Sequence, residues 1–87
     1  LSFGYDFNRP IKNNIPSSVT HLSFGHDFNQ PIKNNIPSSV THLSFGTGFT
    51  QSLNDIPASV VELTIHVNYK RKINEDVATR TKIIRFL

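Results

Sequence analysis

His21 and His42 stand 21 residues apart in the same setting, Thr-His-Leu-Ser-Phe-Gly, and His26 follows the first of them closely. Imidazoles brought together can hold zinc. Such a site also needs a third ligand and groups that orient all three, and none stands at a fitting position, so no metal and no cofactor is assigned. Ser17, Ser18, Ser38, Ser39 and Ser59 come just after prolines, with neither a base nor an acid implied beside them, which leaves no nucleophile. Gly4, Gly25 and Gly46 invite comparison with a phosphate-cradling loop, but that use requires a helix whose first amides face the anion. No helix follows them, and the glycines read as turn residues. No catalytic residue is assigned, and the chain reads as a non-enzyme.

Charge suggests a different chemistry. The net charge of +3 is concentrated after residue 69, in Lys70, Arg71, Lys72, Arg80, Lys82 and Arg85. A basic tract of this kind can contact nucleic acid. Glu75 and Asp76 interrupt it and Tyr69 is the one aromatic beside it, so a solvated end cap that discourages stacking is the preferred reading and a nucleic-acid module the alternative.

Composition narrows the class further. Eighty-seven residues make one small domain. The absence of cysteine excludes disulfides and thiolate metal sites. No apolar run approaches a membrane span and no signal-peptide pattern is present, so no membrane association is expected. The compartment is not encoded in these features; an intracellular one is the expectation. Opening at Leu1 within a repeating pattern and lacking methionine, the chain is expected to be a piece of something longer.

The elements that would position any functional residue come from repetition. Leu1, Leu22 and Leu43 each open Leu-Ser-Phe-Gly, and units 1–21 and 22–42 differ only at Tyr5/His26 and Arg9/Gln30. A third unit, 43–62, drops one residue before Ile56, and residues 63–87 carry a degenerate fourth unit with a basic cap. Counting on from Leu63 brings Ile84 and Phe86 to the places of Leu22 and Phe24. Ile73, Val77, Thr81, Ile84 and Leu87 also suit one face of a helix, and the degraded coil is preferred for its register.

Within a unit, Gly25, Pro31 and Pro37 break any helical period. Alternation over Thr20-His21-Leu22-Ser23-Phe24 predicts one short strand, and the prolines with Asn34-Asn35 predict corners and an extended return. One strand per unit at a fixed period predicts parallel strands stacked at about 4.8 Å, a mainly β solenoid. Like residues then stack on like: Phe3, Phe24 and Phe45 in one buried column, Phe7, Phe28, Phe49 and Tyr69 in another. Asn8 and Asn29 are read as a ladder of buried amides satisfying carbonyls at a corner. Leu1 would leave an open edge, through which edge-to-edge association is expected.

The string Ile36-Pro37-Ser38-Ser39-Val40-Thr41-His42-Leu43-Ser44-Phe45 is similar to the core of leucine-rich repeats, and Phe28-Asn29-Gln30-Pro31-Ile32 with Ile36-Pro37 resembles the FNIP repeat. Residues 1–62 carry the likeness well and 63–87 weakly, since Thr50 and Ser52 replace its asparagine and proline in the third unit. The resemblance implies a leucine-rich-repeat-like solenoid. It also implies relatives that pair such repeats with an F-box, and no F-box lies in these residues.

Alternation turns Leu22 and Phe24 inward and the polar residues outward. The candidate partner-binding residues are therefore Tyr5, Thr20, His21, Ser23, His26, Thr41, His42, Ser44, Thr47 and Glu62. They form stripes across coils, and the expected partner is a protein. A structural array with no ligand is the other alternative.

Overall fold

The computed structural model describes residues 1–87. Four strands lie side by side in chain order in a single parallel sheet: β1 (His21–Ser23), β2 (His42–Ser44), β3 (Glu62–His66) and β4 (Lys82–Phe86). Ser2 bridges Ser23 in the same parallel sense, so coil one adds a rudimentary strand at the outer edge. His21 lies opposite His42, His42 opposite Glu62 and Glu62 opposite Lys82. The chain is a leucine-rich-repeat-like solenoid with one parallel strand per coil. Six large apolar residues per coil cannot offset the entropy of ordering some twenty, so each coil depends on its neighbours.

Alternation along each strand decides what is buried. Leu22, Leu43 and Leu63 point inward, followed by Phe24, Phe45 and Ile65, and all six are buried. The phenyl columns form as the spacing predicts. Phe3, Phe24 and Phe45 stack at 5.1 and 5.4 Å, and Phe7, Phe28, Phe49 and Tyr69 at 6.0, 6.1 and 6.1 Å. Contacts of 4.0 Å between Phe24 and Phe28, and 3.9 Å between Phe45 and Phe49, join the two columns. Burial pushes the Tyr69 phenol above its ordinary pKa, with Arg71 opposing, and its hydroxyl donates to the Gln51 carbonyl at 2.6 Å.

The corners use their asparagines as expected. Asn13 and Asn34 adopt φ of 62° and 64°, a left-handed conformation that asparagine tolerates. The amides of Asn14 and Asn35 then close the turns on Ile11 and Ile32 at 3.0 and 2.9 Å. Coil three, one residue shorter here, turns through Asn54-Asp55 without a positive φ.

Three expectations need correction. The strand-end glycines are not there for turn geometry, because none has a positive φ. A Cβ on Gly25 would lie 2.5 Å from the Gly4 carbonyl oxygen, and one on Gly46 would lie 2.5 Å from that of Gly25. Successive backbones approach too closely for any side chain.

The asparagine ladder runs the other way round from the expectation. Asn8 and Asn29 are not buried; their side-chain oxygens accept the amides of Asn29 and Thr50, each at 2.9 Å. Gln30 and Gln51 reach back to the same two oxygens at 2.9 and 3.2 Å. An amide oxygen has two lone pairs, so one asparagine serves both donors.

At the C-terminus neither alternative holds alone. A short helix, α1 (Glu75–Arg80), is capped by the Asn74 side chain and buries Val77. The strand then resumes at Lys82, a step of 20 from Glu62, so Ile83 and Arg85 take the inward register of Leu63 and Ile65, not Ile84 and Phe86. The shift of one residue moves every side chain to the other face. No helix is long and apolar enough to cross a membrane.

Candidate functional site

The outward side chains of the sheet line a shallow trough of about 340 Å³ across β1, β2, β3 and the Leu1–Ser2 edge. Two parallel rows form it, because residues two apart on a strand share a face. His21, His42 and Glu62 make one row; Ser2, Ser23, Ser44 and Thr64 make the other. Five of the ten residues expected from the sequence thus converge: His21, Ser23, His42, Ser44 and Glu62.

Thr20 and Thr41 stand just before the strands and act on the trough through the histidines. The imidazoles of His21 and His42 stack face to face, 4.2 Å between centroids and 5° from parallel. Their Nδ1 atoms meet the hydroxyls of Thr20 and Thr41 at 3.0 and 2.9 Å. Thr41 Oγ1 also lies 3.2 Å from the Thr20 carbonyl oxygen. The Thr41 hydroxyl has one proton for these two neighbours: when it goes to the Thr20 carbonyl, His42 Nδ1 is the donor and Nε2 faces outward as an acceptor, and the His42 tautomer decides the direction.

Tyr5, His26 and Thr47 do not enter the trough. They form a separate exposed stripe beyond the strand-end glycines, where Tyr5 and His26 stack at 4.7 Å and 9°. His26 Nδ1 pairs with Asp27 Oδ1 at 2.8 Å. The three histidines named as a conceivable zinc cluster are therefore divided, and no group of three His, Cys, Asp or Glu side chains gathers anywhere. No hydrogen bond joins an imidazole to a serine hydroxyl; Ser39 and Ser59 instead donate to the carbonyls of Val19 and Val40 at 2.6 and 2.7 Å.

Lys82 is a residue that the sequence reading missed. It extends the row His21, His42, Glu62 by one strand. The signal was present in the step of 20 already seen between Leu43 and Leu63.

The basic tract proves to be divided in its work. Arg71 Nε donates to the Thr50 carbonyl at 2.6 Å, Arg80 to that of Ile56 at 3.2 Å and Arg85 to that of Tyr69 at 3.0 Å. All six basic residues are exposed, but the three arginines bond backbone acceptors at the end of the solenoid, while the side chains of Lys70, Lys72 and Lys82 make no hydrogen bond within the chain.

The family model of the FNIP repeat matches residues 1–27, 7–48 and 28–66. Among solved structures, the crystal structure of CroV588, described as a novel circular LRR protein, is similar to this chain with a TM-score of 0.78 and 45% sequence identity. The similarity covers 87% of this chain, which spans 12% of that one. No curated protein matches the sequence.

Proposed function

The chain belongs to the FNIP repeat family, and from that premise we propose that it is a non-enzymatic interaction module whose strand-face trough receives a protein partner. The observation that carries this reading is the convergence of His21, His42, Glu62, Ser23 and Ser44 on one face of a rigid sheet. The serine hydroxyls, the Glu62 carboxylate and the outer nitrogen of His42 make no hydrogen bond within the chain. A protein segment laid across the strands meets donors and acceptors at regular spacing, positioned by the core behind them. Recognition built on a fixed scaffold loses little entropy on binding.

The test is affinity capture from cell extract with the 87-residue chain, compared with a variant carrying His21→Ala, His42→Ala and Glu62→Gln. Capture of the same partner by both, at equal affinity, overturns the trough as the site. Near-identity of units 1–21 and 22–42 favours a second reading, a structural array without a ligand, and that reading gains if neither protein captures anything. Replacing Lys70, Lys72 and Lys82 by glutamine tests the nucleic-acid alternative: salt-sensitive binding to DNA or RNA that disappears in this variant would favour it.

A further inference from the structure

β4 turns apolar residues to the face that every other strand keeps polar. The outward places hold His21 and Ser23 on β1, His42 and Ser44 on β2, and Glu62, Thr64 and His66 on β3. On β4 the register puts Ile83 and Arg85 inward and Lys82, Ile84 and Phe86 outward. Ile83 packs against the core, and neither Ile84 nor Phe86 belongs to it. A charged side chain thus takes a core-facing place while an aliphatic and an aromatic one face away. Core packing explains neither placement.

The rows join these residues to the trough. The hydroxyl row Ser2, Ser23, Ser44 and Thr64 continues into Ile84, which is 36% exposed. Phe86 is half-buried and meets the His66 ring edge-on, at 5.0 Å and 82°. Val67, 45% exposed, donates its amide to the Phe86 carbonyl at 2.8 Å and carries the apolar surface past the end of β3. Contiguous apolar side chains on a solvated face mark a place of contact.

Charge says what the contact is with. Glu62 is half-buried and lies opposite the exposed Lys82, yet the two make no ion pair; the one ion pair of the chain joins His26 to Asp27. A half-buried carboxylate gains more from a cation than a fully solvated lysine gains from an anion. Ile84 stands one strand over and two residues on from Glu62, at about 8 Å. A nucleic acid or an anionic lipid would bring negative charge against Glu62 and offers no match.

We propose that Glu62, Ile84, Phe86 and Val67 select the partner, taking a protein segment that presents a lysine or arginine to Glu62 and a large apolar side chain to Ile84 and Phe86. The inference rests on the reading of the strand face as a protein-binding surface and adds the chemistry of the bound segment.

The test selects a library of random displayed peptides on the 87-residue chain and measures affinities of the enriched sequences made synthetically. The enriched peptides share a lysine or arginine and a large apolar residue at a fixed spacing. Glu62→Gln weakens them about tenfold. Ile84→Thr, which restores the residue type of the row and suits a strand, weakens them about fivefold. In the parent chain the bound peptide shifts the Ile84 methyl and Phe86 ring resonances. Peptides that need His21 and His42 but ignore Glu62→Gln and Ile84→Thr would overturn this inference and leave the trough reading standing. Peptides that need Glu62 and Ile84 but bind His21→Ala and His42→Ala at full strength would support it and remove the histidines from the site. Enriched peptides that are acidic or lack the apolar residue, no enrichment at all, or a dimer of the chain that Ile84→Thr dissociates would each overturn it.

Discussion

Thr41 stands between His42 and the backbone: its Oγ1 lies 2.9 Å from His42 Nδ1 and 3.2 Å from the Thr20 carbonyl, and donation to that carbonyl would leave Nδ1 as the donor. Replacing Thr41 by valine keeps the shape and removes both bonds. The ¹⁵N spectrum of the neutral imidazole should show the Nδ1–H form in the parent and a mixture richer in Nε2–H in Thr41→Val. An unchanged spectrum would remove the threonine from this role. Stability should fall by about 1 kcal/mol, measured by urea unfolding.

Gly25→Ala places a carbon 2.5 Å from the Gly4 oxygen, 2.7 Å from the Gly4 carbonyl carbon and 2.8 Å from the Tyr5 Cα. Backbone cannot swing aside as a side chain can, so coils one and two must separate. A loss of about 1–3 kcal/mol is expected, and urea denaturation of Gly4→Ala beside it should show almost none.

Phe28 is fully buried and stacks with Phe7, Phe24, Phe45 and Phe49. Phe28→Ala should cost about 3–5 kcal/mol. Phe7 holds the equivalent place in coil one but is only partly buried, so Phe7→Ala should cost clearly less. Equal losses in a chemical unfolding series would mean that the column does not fade toward its open end.

Tyr69 makes stability depend on alkaline pH. Its phenol is raised above 10.0, chiefly by burial, so the folded state holds the proton longer than the unfolded state. The stabilisation linked to this proton is complete below about pH 10, the unfolded value. It is lost as pH rises through the folded value, because the unfolded chain ionises first. Unfolding midpoints measured from pH 8 to 11.5 should fall more steeply for the parent than for Tyr69→Phe, which has no proton to lose.

Much of this architecture was legible because repetition turns one local pattern into a statement about neighbours. Once Leu1, Leu22 and Leu43 were aligned, the phenyl columns, the stacked histidines and the asparagine corners followed from period alone. What escaped was governed by contact between backbones or by unequal spacing. Gly25 looked like a turn residue because sequence does not display how near the Gly4 carbonyl lies. Ile84 was assigned inward because the period was held at 21, whereas the step from Leu63 to Ile83 is 20. Arg71, Arg80 and Arg85 are exposed, in keeping with a solvated cap, but their bonds to backbone carbonyls were not legible, because acceptors left open at the end of a stack leave no mark on composition. Of the candidate surface, alternation found the outward residues. It did not separate the trough from the Tyr5 and His26 stripe, which lies past the end of the strands.

The sheet with its like-on-like columns is in effect a ruler graduated at about 4.8 Å. Because the units 1–21 and 22–42 are interchangeable inside, gaining or losing one whole unit would slide everything downstream by a single graduation and leave the packing untouched. The distance between two binding features on such a molecule can thus be adjusted in discrete increments by copy number, without redesigning the interior.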